Sequence, residues 1–131
     1  MDIYKTREFS RLAAKARLTF AELLASAKRA ERGLADAEIG KFLIKQRVPR
    51  RGKGRSGGFR AILFHRQGDK AVFLHLFAKN ERGNLSITEE DAYRVIAKAI
   101  AKLSRSTIEE LIEKQMWIRV EHDEISDQVS E

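Results

Sequence analysis

Apolar residues along this 131-residue chain recur first at helical spacing, then in near-continuous runs, then at helical spacing again. Thr19-Phe20-Ala21-Glu22 has the form of a capping box, in which hydroxyl and carboxylate satisfy backbone N–H groups at a helix start, and Leu18 and Leu23 stand at staple positions. Phe20, Leu23, Leu24 and Ala27 then fall on one face and Gly33 supplies a stop, so a helix is predicted up to Gly33. A shorter helix is expected over about Ser10 to Ala16. Ile3 to Phe9 reads as an edge strand.

The middle of the chain is of β type. Gly40 to Val48, Gly58 to Arg66 and Ala71 to Lys79 are rich in aromatic and aliphatic residues, and Gln67-Gly68-Asp69-Lys70 makes a hairpin connection between the second and third. A glycine loop joins the first to the second. After Asn84 the helical period returns, with Ser86 or Thr88 as cap and Tyr93, Ile96, Ala97, Ile100 and Leu103 in a stripe. Ser106-Thr107-Ile108-Glu109 reads as a further capping box, opening a helix to about Gln115, and Trp117 to Glu121 alternates as a final strand. The pattern predicts an α+β fold: an antiparallel sheet of about four to five strands with helices packed on one face. Residues 1–121 are expected to form one domain, and 122–131 an acidic, flexible tail.

Composition narrows the class. At 43% hydrophobic with a single Pro, the chain has the apolar content of a globular domain. The absence of cysteine excludes a disulfide framework and a thiolate zinc site. Residues 1–30 lack the apolar core of a signal peptide and no run approaches a membrane span, so a cytoplasmic protein with no membrane partner is expected.

Charge changes the picture more. Residues 1–85 hold 20 Lys and Arg against 8 Asp and Glu, whereas residues 86–131 hold 6 against 11. Eight basic residues and no acidic one occupy 41–60: Lys41, Lys45, Arg47, Arg50, Arg51, Lys53, Arg55 and Arg60. A one-signed stretch of this kind attracts polyanions. Gly52 to Gly58 (GKGRSGG) fits the letters of a dinucleotide fingerprint, but a strand follows where a phosphate-binding helix would have to open, so that reading fails on context. Lys45 and Arg47 alternate on one strand and therefore share a face, Arg60 begins the next strand and Lys79 ends the third. Together they predict a phosphate-binding concavity.

Lys45-Gln46-Arg47-Val48, then Gly52-Lys53-Gly54-Arg55-Ser56-Gly57-Gly58-Phe59-Arg60, then Phe77-Ala78-Lys79-Asn80-Glu81-Arg82 with Asn84-Leu85-Ser86, resemble the K-x-R, G-x-G-K-S-G-G-[FY]-R and [FY]-A-K-x-E-x-x-N-[LI] blocks of RelE/HigB-type toxins from bacterial type II toxin–antitoxin modules. Block spacing fits as well. The resemblance spans about residues 40–86 and departs at Arg55, where Lys is usual; a guanidinium does not readily lose its proton, which weakens that position as a base. It implies a small RelE-like fold, ribosome-dependent cleavage of mRNA, and a cognate antitoxin as partner.

Metal-free RNA cleavage needs in-line attack of a 2′-OH on its neighbouring phosphate, a base for that proton, stabilisation of charge on phosphorus, and an acid for the leaving 5′-oxygen. No cofactor is expected. Arg60 is the candidate for charge stabilisation, since its planar fork binds phosphoryl oxygens in pairs and stays ionised. Lys79 and Glu81 are candidates for proton transfer, with the assignment between them open. Lys41, Lys45, Arg47, Arg50, Arg51, Lys53 and Arg55 are expected to contact backbone phosphates. His65 and His75, on neighbouring strands, are weaker catalytic candidates that would face each other across the hairpin. Phe59, Phe64, Phe73 and Phe77 either stack a splayed base or, as favoured, pack the core. The competing functions are a non-catalytic basic RNA- or ribosome-binding module and an antitoxin-binding regulatory protein.

Overall fold

The computed structural model describes residues 1–50, 54–81 and 84–120. Arg51, Lys53 and the acidic tail lie outside the described residues, and for Arg50 and Arg55 only the strand position is described. The elements follow the chain as β1 (Asp2–Thr6), α1 (Arg7–Lys15), α2 (Phe20–Glu31), β2 (Ala37–Gly40), β3 (Leu43–Arg50), β4 (Gly54–Arg66), β5 (Lys70–Ala78), α3 (Ile87–Ala101), α4 (Arg105–Glu113) and β6 (Trp117–Arg119). The six described strands form one sheet in the order β2-β3-β4-β5-β1-β6. The α+β class holds, with corrections to the sheet and to the placing of the helices.

The sheet is mixed, because β1 runs parallel to β5 while the other pairings are antiparallel. Helices cover both faces. Phe9 and Ala13 of α1 and Leu23, Ala27 and Ala30 of α2 pack on Ile44, Val48, Ala61, Leu63 and Phe73. On the opposite face Ala97 and Ile100 of α3 and Ile108 of α4 pack on Leu43, Ile62, Phe64, Val72 and Leu74. The cause is visible in the strands: every β5 residue except His75 is buried. A strand wet on one side alternates, whereas a strand covered on both reads as a continuous apolar run.

Local signals explain the element boundaries. The Thr19 capping box forms as expected with Glu22 as its reciprocal partner, and of the two expected caps for α3 it is Ser86 that acts, in a capping box with Glu89. Gly33, at φ +82°, follows α2 in the left-handed conformation that favours glycine. Four boundaries move. Thr6 caps α1 by accepting from Phe9 N, so this helix begins at Arg7 and the N-terminal strand stops short of it. Ser104, two residues earlier than expected, accepts from Thr107 N and starts α4. The first β run divides at Lys41 and Phe42 into β2 and β3, while β4 reaches back to Gly54 and takes in most of the glycine block.

Candidate nucleic-acid interface and active site

Alternation along β3 places Lys45 and Arg47 on the α3 side of the sheet, because Leu43 belongs to that core and Ile44 and Val48 to the other. Arg60 shares this side with Ile62 and Phe64. The strand register sets Arg47, Arg60 and Phe77 in one row across β3, β4 and β5, and Lys45, Ile62 and His75 in the next. Three of the expected basic residues therefore converge on one patch of sheet.

Arg47 and Arg60 are direct cross-strand partners. Like charges in that relation are separated by about 5 Å at Cβ and repel. Arg60 is half-buried, and loss of water around it, followed by the field of Arg47, lowers its pKa from the usual guanidinium value, against a small opposing effect of Asp36. Its Nη1 donates to the Phe59 carbonyl at 3.4 Å. Among the described residues neither guanidinium forms an ion pair. Such an arrangement is stabilised by an anion that accepts from both.

The patch is held from two directions. From the other face, Gln46 Nε2 donates to the Ser26 carbonyl at 2.9 Å while its Oε1 accepts from Asp36 N at 2.6 Å. The Asp36 carboxylate in turn accepts from Arg47 N and from Arg29 Nη2. From the site's own face, Lys45 Nζ donates to Asn84 Oδ1, which also accepts from Leu85 N at 3.0 Å. Leu85 is buried in the α3-side core, so this lysine connects β3 to the segment entering α3. Gln46, Asp36 and Asn84 were not among the expected site residues. Asn84 left a signal, as a fixed letter of the motif block after Lys79.

Lys79 directly follows β5, and its backbone N–H donates to the Gly58 carbonyl at 3.2 Å, which places it at the same end of the sheet as Arg60. Glu81 lies in the same turn, with its N–H on the Ala78 carbonyl. Both side chains are exposed. Lys41 is set apart: it follows β2 with its ammonium 5.4 Å from the Phe42 ring centroid, roughly 20 Å along the strand direction from Arg47. Arg50 pairs with Gly54 where β3 and β4 approach the glycine block.

The histidines do not face each other. His65 pairs with Ala71 and His75 with Ile62, and the two project to opposite faces. His65 Nε2 meets Glu31 Oε1 at 2.9 Å beneath α2, whereas His75 stacks on Phe77 and Tyr93. Phe59, Phe64, Phe73 and Phe77 are all buried, so the strand phenylalanines are core residues. Among the described residues no group of three or more His, Asp or Glu is placed to hold a metal ion, and no helix is long and apolar enough to cross a membrane.

No curated protein matches the chain. A family model described as the RelE toxin of the RelE/RelB toxin–antitoxin system matches residues 1–120, which takes in every described strand and helix. The basic sheet face, the motif blocks that build it and this match over nearly the whole length agree: the chain belongs to the RelE toxin family.

Proposed function

We propose that this toxin is an endoribonuclease that cleaves mRNA on the translating ribosome by metal-independent attack of a 2′-OH on the adjacent phosphate, and that an antitoxin blocks it. The observation that carries the reading is the opposed pair of Arg47 and Arg60 on one row of the sheet, with Arg60 half-buried. A phosphodiester gains negative charge as phosphorus becomes five-coordinate, and two guanidiniums already in place stabilise that charge without reorganising.

Arg60 acts on the phosphoryl oxygens, with Arg47 and Lys45 orienting the flanking backbone. Lys79 and Glu81 enter from the turn after β5 and exchange protons with the 2′-OH and the leaving 5′-oxygen. Arg50, Arg51, Lys53 and Arg55 extend the phosphate track along the glycine block, while Lys41 belongs to a separate contact. Cutting translated mRNA stops protein synthesis, so expression without the antitoxin arrests growth.

The test is expression of the wild type and of Arg60→Gln, with mapping of mRNA ends. Wild type is expected to arrest growth and leave cuts in translated mRNA, and Arg60→Gln to cut at least about 100-fold more slowly while still binding RNA. If Arg60→Gln loses binding and effect in parallel, the non-catalytic binding module is the better reading. Intact mRNA in arrested wild-type cells would also exclude cleavage.

A further inference from the structure

Beside α3, on the same face as Arg60, lies a groove of about 390 Å³ with Leu74 and His75 in its floor, Ala92, Tyr93 and Ile96 along one wall, and Thr6, Glu8 and Glu89 at its rim. Three rings lead to it from the arginine row. Phe77 is the cross-strand partner of Arg60, His75 stacks on Phe77 at 6.2 Å, and Tyr93 stacks on His75 at 5.6 Å, both pairs tilted by 26°. Phe77 is buried and Tyr93 half-buried, so the ladder ends in a ring that reaches the groove. His75 stands two residues along β5 from Phe77, about 7 Å. The groove thus begins close to the row assigned above to the phosphate.

We infer that this groove is a nucleobase subsite, taking the base next to the scissile phosphate and preferring one that presents an amino group. The inference rests on the RNA-cleaving function proposed above and names a part of its substrate. The floor and wall are apolar enough to receive a flat ring, and base stacking on an aromatic residue contributes about 1–3 kcal/mol. The rim has the wrong sign for phosphate and the right one for N–H donors: Glu8 and Glu89 place two carboxylates near Tyr93. Burial, and then the fields of these carboxylates, raise the Tyr93 pKa, so its phenol stays protonated. Adenine, cytosine and guanine each present an exocyclic amino group to such an edge. Uracil has no exocyclic amino group, and its single N3–H is flanked by two carbonyl oxygens that carboxylates repel.

The experiment is an abasic and base scan, read by fluorescence anisotropy on the full-length protein, with short oligoribonucleotides made uncleavable by 2′-deoxy substitution. For the wild type, one position is expected at which removing the base, or placing uracil there, weakens binding about tenfold. Tyr93→Ala should bind intact and abasic oligonucleotides alike, Tyr93→Phe should behave as wild type, and Glu8→Gln should tolerate uracil. A thermal melt establishes that each variant is folded. A flat scan for the wild type overturns the subsite, as does a wild-type scan retained by folded Tyr93→Ala. Loss of antitoxin binding by Tyr93→Ala with a flat RNA scan would instead make the groove a protein-docking site and also overturn it. Because the readout is binding, loss of cleavage with this pattern intact counts against the catalytic reading alone.

Discussion

Gln46 shows how much a single polar residue does beneath a charged site. It is fully buried between Lys45 and Arg47, and its amide ties β3 to the Ser26 carbonyl and the Asp36 N–H. Gln46→Leu keeps the volume but leaves both backbone groups without their partner. It is expected to lower stability by about 2–4 kcal/mol, seen as a fall in urea midpoint at unchanged m value. Asn84 acts on the other side of the patch, where removing its carbonyl frees Lys45 from the segment before α3. Asn84→Ala should reduce cleavage about tenfold with little change in Tm, measured on translated mRNA in extract. The shared face of Lys45, Arg47 and Arg60 was legible in the sequence because the period of a strand fixes the face of each residue. The role of Gln46 was not, because its partners lie 10 and 20 residues away and no local pattern marks it, and Asn84 stood in the motif block without a sign of its bond to Lys45, 39 residues away.

Among the elements, α2 and α3 start close to where they were expected, through local caps, whereas equally local caps at Thr6 and Ser104 start α1 and α4 earlier than expected. Thr19 and Ser86 start α2 and α3 through bonds made within three residues. The departures in the sheet and in the helix layers arise where the outcome depends on distant packing: burial of every β5 residue but His75 requires helices on both faces, and parallel pairing of β1 with β5 sets Asp2 beside Lys70. The β4–β5 hairpin also depends on a distant group. Glu31 at the end of α2 accepts from His65 Nε2 at 2.9 Å and from Gly68 N at 2.9 Å. The His65 bond, then the Gly68 N–H, hold the Glu31 carboxyl below its ordinary value of 4.5, against the opposing effect of burial. Its folded pKa is depressed, so its contribution to stability is present above the unfolded value and lost as pH falls through the folded one. Stability measured by denaturant from neutral pH down to roughly pH 3 should therefore decline below about pH 5, and Glu31→Gln should flatten that acid limb.

Across the whole molecule, charge is separated along the chain, with the basic excess in residues 1–85 and the acidic excess after it. The fold concentrates part of that basic excess on one face of β3 and β4, next to a groove edged by carboxylates. On the function proposed above, long-range attraction would bring the polyanion to the sheet and leave the discrimination between bases to the groove. Each neutralised phosphate on single-stranded RNA contributes about −0.7 to the slope of log affinity against log salt. Arg47→Gln should flatten the slope by about that amount, measured by anisotropy over a salt series, whereas an unchanged slope would remove Arg47 from the phosphate track.

Whether the arginine row stabilises attack by the RNA's own 2′-OH is decided by the chemistry of the cut ends. Purified protein added to a translating extract, followed by end-group analysis of the mRNA fragments, should give 5′-hydroxyl ends and 2′,3′-cyclic or 3′-phosphate ends, and Arg60→Gln should give almost none. Fragments with 5′-phosphate and 3′-hydroxyl ends, or no fragments from the wild type, would rule that chemistry out.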